Sequence, residues 1–103
     1  MLRIDNEAGK LRVRVSERFD IEEVSNCRSE LYALMKEGVS AVVFDFSDCK
    51  FIDSTGLGLL VSANKRCAES GTEIYLCSLQ ANVANVIKMT RLDQVFTIRN
   101  SCV

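Results

Sequence analysis

One stretch of the chain combines residue types that can carry chemistry: Phe51-Ile52-Asp53-Ser54-Thr55-Gly56-Leu57-Gly58-Leu59-Leu60. An apolar run at residues 41–46 precedes it, and an amphipathic segment that ends at Gly71 follows it. This order predicts a buried strand, a short loop and a helix, with Ser54 at the junction. A helix N-terminus presents unpaired backbone N–H groups and the positive end of the helix dipole. A serine there can cap the helix, and it can also carry a phosphate in a favourable field.

The lack of one residue type excludes several reactions at this junction. The chain has no His, which removes the usual base of a catalytic serine and the commonest metal ligand. We therefore expect no catalytic residue, no metal site and no cofactor. The cysteines number five and lie at least ten positions apart, without a C-x-x-C signature. An odd count without a signal peptide predicts reduced thiols and a cytoplasmic location. The cysteines are Cys27, Cys49, Cys67, Cys77 and Cys102.

The length and net charge of the chain limit the classes of protein to which it can belong. The chain has 103 residues, of which 48% are hydrophobic, and this suits one packed domain over residues 1–103. The formal net charge of -1 gives no bulk attraction to nucleic acid or to an anionic membrane. No apolar run approaches the ~20 residues that a membrane span needs. We therefore expect a partner that is neither nucleic acid nor membrane.

Hydrophobic periodicity predicts the elements that position Ser54. Residues 1–6 and 11–15 alternate and predict an antiparallel hairpin with a turn at residues 7–9. Asp20 and Glu23 have the spacing of a capping box, and Gly38 is predicted to end that helix. The outer face of the hairpin is predicted to be solvated, and it carries Arg3, Lys10, Arg12 and Arg14.

The second half of the chain alternates helices and strands. Residues 41–45 predict a strand that is buried on both faces. The helix from Ser54 ends at Gly71, a strand follows over residues 73–79, a third helix over 80–90 and a short strand over 95–98. The apolar stripe of the Ser54 helix is predicted to consist of Leu57, Leu60, Val61, Asn64 and Ala68.

This order of elements predicts an α/β fold. We expect a single-domain layer fold, with a mixed and mostly parallel sheet after an N-terminal β-hairpin and about three helices. Right-handed crossovers place the junctions between strands and helices on one edge of such a sheet. Asp20, Ser54 and the turn at residues 78–82 should therefore share that edge, where ligands and partners bind in open α/β sheets.

Other chemistries at this edge have weaker support. Gly56 and Gly58 suggest phosphate binding, but Val61 occupies the place of the third glycine of a dinucleotide fingerprint, and no phosphate-loop lysine is present. The glycines instead predict a thin first turn that the sheet, or a partner chain, can approach closely. A helix turns by about 100° per residue, which places Leu59 on the far side of the helix from Leu57. Leu59 is therefore predicted to be an exposed apolar contact.

Three carboxylates surround the same junction: Asp45, Asp48 and Asp53. Paired carboxylates can act as a general acid and base or hold a magnesium ion. No other catalytic residue type lies nearby, so capping and solvation are the favoured roles. By its residue type alone, Ser54 is predicted to be the N-cap of its helix.

The run Phe51-Ile52-Asp53-Ser54-Thr55-Gly56-Leu57-Gly58 resembles the signature of the STAS domain (sulfate transporter and anti-sigma factor antagonist), and in particular that of bacterial anti-anti-sigma factors. Nearly the whole chain shares the resemblance. The strand and acid at residues 14–20, the buried strand at 42–45 and the closing segment at 89–96 all match. Glu17 departs from the family, because a glycine is common at that position.

The resemblance implies a function. In the family, an anti-sigma factor that is also a serine kinase with a GHKL-type ATPase fold phosphorylates the serine that matches Ser54. The unphosphorylated protein binds that anti-sigma factor and frees the sigma factor, and a PP2C-type phosphatase reverses the phosphorylation. Asp20 and Asp53 match acids that flank the phosphorylation site. The partner-binding surface is expected to comprise Asp20, Asp53, Ser54, Thr55, Gly56, Leu57, Gly58 and Leu59.

Two other functions remain open at this point. One is a STAS accessory subunit of a transporter or signalling scaffold, in which Ser54 is only a cap. The other is a nucleotide hydrolase that uses Asp45 and Asp53, which the lack of His and of a phosphate-binding lysine disfavours. We therefore expect a regulatory binding protein and not an enzyme.

Overall fold

The computed structural model describes residues 2–102, so Met1 and Val103 lie outside the described part. The strands are β1 (Arg3–Glu7), β2 (Lys10–Arg14), β3 (Arg18–Phe19), β4 (Ala41–Asp45), β5 (Phe51–Ile52), β6 (Glu73–Cys77) and β7 (Thr97–Arg99). The helices are α1 (Ile21–Lys36), α2 (Ser54–Ser70) and α3 (Ala81–Met89), and a 3-10 turn covers Leu92–Gln94.

The main sheet has the order β1-β2-β4-β6-β7. β1 and β2 pair antiparallel, and all other neighbours in this sheet pair parallel. Ala8 and Gly9, both with positive φ (54° and 85°), form the hairpin turn, as a two-residue turn that follows the strand twist requires. The predicted α/β fold with an N-terminal hairpin and a mostly parallel sheet is confirmed.

A second, very small sheet was not predicted. β3 and β5 pair parallel, with Arg18 opposite Phe51 and Phe19 opposite Ile52. The sequence predicted only a short loop between the strand at residues 41–45 and the helix from Ser54. The backbone N–H groups of Lys50 and Phe51 both donate to the carbonyl of Glu17, at 2.8 and 3.2 Å. Glu17 is not among the described non-glycine residues with positive φ, so the backbone there does not need the glycine that is common in the family.

The helices cover one face of the main sheet. A continuous core joins strand residues such as Val42 and Phe44 to helix residues such as Leu31 and Leu60. Phe19 is fully buried in this core, and its ring centroid lies 6.5 Å from that of Phe44 and 6.1 Å from that of Phe46. The small sheet is therefore anchored to the core.

The opposite face of the main sheet carries a smaller cluster of Val43, Tyr75, Cys77 and Cys102. Cys77 and Cys102 form a disulfide, so the prediction that all thiols are reduced is wrong for this pair. The parallel pairing of β6 with β7 brings the end of one strand close to the segment that follows the other. The remaining cysteines Cys27, Cys49 and Cys67 are free and buried.

Arg12 also differs from the prediction of a solvated hairpin face. Its Nη2 atom donates to Oδ2 of Asp45 at 3.2 Å, and the Asp45 side chain is almost fully buried. The register places Arg12 opposite Val43 and Arg14 opposite Asp45, so the long Arg12 side chain reaches diagonally along the neighbouring strand.

Helix α2 has a different buried stripe from the predicted one. Its buried residues are Gly56, Leu59, Leu60, Ala63 and Cys67, while Val61 is exposed. The prediction that Leu59 is an exposed contact is wrong, since Leu59 is fully buried. The buried positions follow helical spacing, but three of them are small residues that a count of large apolar side chains does not find. The predicted end at Gly71 is confirmed by its left-handed backbone (φ 70°).

The two helix glycines give a matched test of this packing. A Cβ on Gly56 would lie 2.5 Å from the backbone oxygen of Phe19, whereas a Cβ on Gly58 would meet nothing within 4 Å. We expect Gly56→Ala to lower the free energy of unfolding by about 1–3 kcal/mol, because the overlap involves backbone that cannot rotate away. Gly58→Ala should raise it by up to about 1 kcal/mol through helix propensity. Urea denaturation of both variants checks this, and equal effects would contradict the close approach at Gly56.

Candidate functional site

Two helices begin side by side at the end of the small sheet. The residues directly after β3 and β5 are Asp20 and Asp53, and they cap α1 and α2. Oδ1 of Asp20 accepts from the backbone N–H groups of Glu22 and Glu23, at 3.2 and 3.3 Å. Oδ1 of Asp53 accepts from those of Thr55 and Gly56, at 2.9 and 3.0 Å. The predicted capping roles of both aspartates are confirmed.

Ser54 is the first residue of α2 and not its cap. The prediction that Ser54 is the N-cap is therefore wrong, because the helix already begins at Ser54 and Asp53, one position earlier, accepts from the N–H groups of its first turn. Ser54 is exposed. Its hydroxyl is thus left at the surface, next to a helix end that is already capped.

The other residues of the predicted partner-binding set divide by burial. Gly58 is exposed, Asp20, Asp53, Thr55 and Leu57 are half-buried, and Gly56 and Leu59 are buried. The lack of a side chain at Gly56 lets the helix pack closely against the backbone of Phe19. At Gly56, the predicted close approach is therefore made by the chain itself and not by a partner. Gly58 is the glycine that leaves open space above the helix.

Two exposed apolar residues beside Ser54 were missed. Ile21 begins α1 and is 63% exposed, and Phe51 begins β5 and is 40% exposed. The parallel pairing of β3 with β5 places the start of α1 beside the start of α2. Ile21 shares the helical spacing of the buried residues Val24 and Cys27, and this pattern predicts a buried position. However, Ile21 is the first residue of α1, directly after the cap Asp20, and the side chain at this helix end is exposed.

The charge around Ser54 is mostly acidic. Asp20, Asp53 and the exposed Glu22 lie at the two helix starts. A cation at the start of β3 is Arg18, whose Nε lies 3.5 Å from Oδ2 of Asp20. Its guanidinium carbon also lies 4.3 Å from the centroid of the Phe51 ring. Arg18 is therefore already engaged by its own chain.

Asp45 holds the loop that leads to this site. Its Oδ1 atom accepts from the backbone N–H of Ser47 at 2.9 Å, and Oδ2 accepts from Arg12. On the other side, Nε2 of Gln80 donates to the carbonyl of Ser47 at 2.6 Å. The turn before α3 is thus joined to the loop before α2, in agreement with the predicted shared edge.

The ionisation of Asp45 follows from these contacts. Burial alone would raise the pKa of Asp45, but the hydrogen bonds from Ser47 and the Arg12 guanidinium outweigh it and lower the pKa below its usual value. Asp45 is therefore a paired anion, and Asp53 is a helix cap. Both carboxylates of the hydrolase alternative therefore have structural partners.

Comparison with known proteins identifies the family. The family model described as the STAS domain matches residues 2–102. The chain belongs to the STAS family. An anti-sigma-B factor antagonist from Staphylococcus aureus is 22% identical over 86 residues, which cover 84% of this chain and 80% of that protein.

Solved structures share the fold of this STAS domain. A putative anti-sigma factor antagonist from Thermotoga maritima superposes with a TM-score of 0.88 at 21% identity, over 98% of this chain and 87% of that one. The Bacillus cell fate determinant SpoIIAA, in its phosphorylated form, superposes with a TM-score of 0.79 at 14% identity, over 98% and 93% of the two chains. At these identities the likeness shows the fold.

No helix within residues 2–102 of this STAS domain combines the length and the apolar character that crossing a bilayer requires.

The pH dependence of stability tests the role of Asp45. Because the pKa of Asp45 is lowered on folding, its contribution to stability is present above the unfolded pKa of about 3.9 and is lost as the pH falls through the folded pKa. We expect Asp45→Asn to lower the free energy of unfolding by about 1–3 kcal/mol at pH 7. The difference from the wild type should shrink towards zero in acid, as measured by urea denaturation at several pH values.

Asp48 provides the control, because it lies in the same loop and is exposed. Asp48→Asn should change stability by less than about 0.5 kcal/mol at any of these pH values. If Asp45→Asn lowers the free energy of unfolding by the same amount at every pH, the carboxylate acts by its shape and not by its charge.

Proposed function

We propose that this STAS domain is an anti-anti-sigma factor that is switched by phosphorylation of Ser54. In its unphosphorylated form it binds an anti-sigma factor with GHKL-type serine kinase activity and thereby releases a sigma factor. A PP2C-type phosphatase reverses the modification, and the cycle takes place in the cytoplasm. The domain acts by binding and carries out no catalysis itself. The observation that supports this function is the exposed Ser54 hydroxyl on an already capped helix N-terminus.

The relatives support the same role. The Staphylococcus aureus relative is named an anti-sigma-B factor antagonist, and SpoIIAA, which has the same fold, was solved in a phosphorylated form. The proposed acceptor also needs no base of its own, because a kinase provides one. This agrees with a chain that lacks His.

The capping by Asp53 determines where the charge of a phosphate acts. A phosphate adds about -1.5 to -2 charges at neutral pH. The N–H groups of Thr55 and Gly56 are already bonded to Asp53, so the phosphate cannot replace that cap without displacing a carboxylate. The new charge therefore stays at the surface, where a docked partner would have to desolvate it at a cost of several kcal/mol.

Substitutions at Ser54 test the switch. With the partner kinase and ATP present, Ser54→Ala should remain bound, because no phosphate can be added. Ser54→Asp should bind at least tenfold more weakly, which corresponds to about 1.4 kcal/mol or more. Phosphopeptide mass spectrometry and titration calorimetry measure the two outcomes. Ser25→Ala is the control, because Ser25 is exposed on α1, and it should be phosphorylated and released like the wild type.

The opposite result would support the accessory-subunit function. If the wild type is not phosphorylated by its partner and both Ser54 variants bind equally well, Ser54 is a structural residue and the proposed switch is wrong. Thermal melting of both variants must stay close to that of the wild type, since an unfolded variant would also fail to bind.

The exposed apolar residue at the start of α1 tests the extent of the binding surface. Ile21 lies beside the α2 start and is 63% exposed, while Met89 is 82% exposed at the far end of α3. We expect Ile21→Ser to weaken binding of the anti-sigma factor about tenfold, as is usual for an apolar contact near the centre of an interface. Met89→Ser, which removes an even more exposed apolar side chain, should leave the affinity unchanged. Equal affinities for both variants would exclude Ile21 from the interface.

A further inference from the structure

We propose that Cys77 and Cys102 are a reversible dithiol–disulfide pair. When the pair is oxidised, it fastens the segment after β7 onto the helix-free face of the main sheet, which is the face that carries the cluster of Val43 and Tyr75. This site lies apart from Ser54. The inference does not depend on the proposed phosphorylation switch or on its partners.

The backbone brings the two cysteines within bonding range. Cys77 is the last residue of β6 and lies opposite Arg99 in β7, three positions before Cys102. The Cα atoms of the two cysteines are 5.1 Å apart, inside the range that disulfides span without backbone movement. The disulfide closes a loop between residues 25 positions apart.

Hydrogen bonds place the segment independently of the disulfide. The backbone N–H of Ser78 donates to the carbonyl of Arg99 at 3.1 Å, and the Ser78 hydroxyl donates to the carbonyl of Asn100 at 3.3 Å. Ser78 itself has a positive φ of 56°, so its backbone is held in a conformation that most residues avoid. The reduced cysteines would therefore still face each other.

The reduced state also has acceptors available for both thiols. The carbonyl oxygen of Phe44 lies 3.5 Å from Sγ of Cys77, and the hydroxyl oxygen of Ser78 lies 3.5 Å from Sγ of Cys102. Each sulfur can donate a weak hydrogen bond when it carries a proton. Reduction therefore leaves neither thiol without a partner, and both redox states fit the same fold.

The other cysteines are poor competitors for oxidation. Burial raises the pKa of the Cys49 and Cys67 thiols, and burial together with Glu23 and Glu30 raises the pKa of Cys27 to about 11. A thiol that stays protonated is a weak nucleophile. All three are free and buried. Within the proposed pair, Cys102 is 9% exposed and Cys77 0%, so Cys102 is the sulfur that a small oxidant reaches first.

Thiol–disulfide exchange with a small disulfide such as oxidised glutathione completes the chemistry. The Cys102 thiolate attacks one glutathione sulfur, which forms a mixed disulfide and releases one glutathione thiolate. The Cys77 thiolate then attacks the Cys102 sulfur and releases the second. The protein loses two electrons and two protons, and the oxidant gains them as two molecules of reduced glutathione.

Asp45 raises a competing possibility, because its carboxylate and both sulfurs lie within 4.8 Å of one another. Two thiolates and a carboxylate are zinc ligands. However, Asp45 is already bonded to Arg12 and to the N–H of Ser47, and a neighbouring guanidinium disfavours a cation. The geometry therefore favours the disulfide.

Counting free thiols across a glutathione redox series tests the pair. The purified full chain is equilibrated, acid-quenched, unfolded, alkylated with N-ethylmaleimide and weighed. With five cysteines in the chain and one pair joined, we expect five adducts under reducing conditions and three under oxidising conditions, with full return on adding dithiothreitol. The oxidised wild type should also melt several degrees higher than the reduced form, because the closed loop restricts the unfolded chain.

Three variants make the result specific. Cys102→Ser should give four adducts at every poise and no redox-dependent melting temperature, and Cys77→Ala should do the same if Cys102→Ser proves unstable. Cys67→Ala, which alters a free buried cysteine on α2, should still lose two adducts on oxidation.

Three results would overturn the pair. The first is five adducts for the wild type at every glutathione ratio. The second is a redox-dependent loss of adducts that persists in Cys102→Ser. The third is stoichiometric zinc that stays on the reduced protein through dialysis and prevents its oxidation.

Discussion

The contact between the first turn of α2 and the backbone of Phe19 is the constraint on which the candidate site depends. A side chain at Gly56 would overlap the Phe19 carbonyl, and the same carbonyl accepts from the N–H of Asp53 at 3.3 Å. Phe19 is in turn packed in the core against Phe44 and Phe46. The start of α2 is thus fixed relative to the core, and Asp53 is held where it caps the helix. Ser54 is exposed as a consequence, since the cap and the contact with Phe19 engage the residues on either side of it.

Alternation of period two predicted the hairpin, and the alternation of strands and helices predicted the mostly parallel class of the main sheet, though not its strand order. The strand at residues 41–45 was predicted with its observed bounds, because a continuous apolar run is typical of a central parallel strand. The shared edge also followed from the sequence, since parallel strands all end on the same side of a sheet. These features depend on backbone geometry that every parallel α/β domain shares. They did not require knowledge of which side chains meet.

The features that sequence analysis missed depend on specific side chains that meet across the fold. The stripe of α2 passes through Gly56, Ala63 and Cys67, and small residues face the sheet there because the helix lies close to it. β3 and β5 have two residues each, which is too short for any periodic pattern. Ser54 is not the N-cap because the helix begins one residue earlier than the sequence predicted, with Asp53 as its cap. The ion pair of Arg12 with Asp45 and the disulfide join residues that only the strand register brings together.

The helix-free face contributes to the site even though it lies on the other side of the sheet. Cationic side chains cover its central ring, since Arg99 and Lys10 lie 4.0 and 5.4 Å from the centroid of Tyr75. On the same face, Arg12 holds Asp45, whose second oxygen fixes the N–H of Ser47. The carbonyl of Ser47 is bonded to Gln80, so the loop that leads to α2 is held from two directions. A partner that docks at Ser54 would therefore meet a preformed surface, which lowers the entropy that binding must overcome.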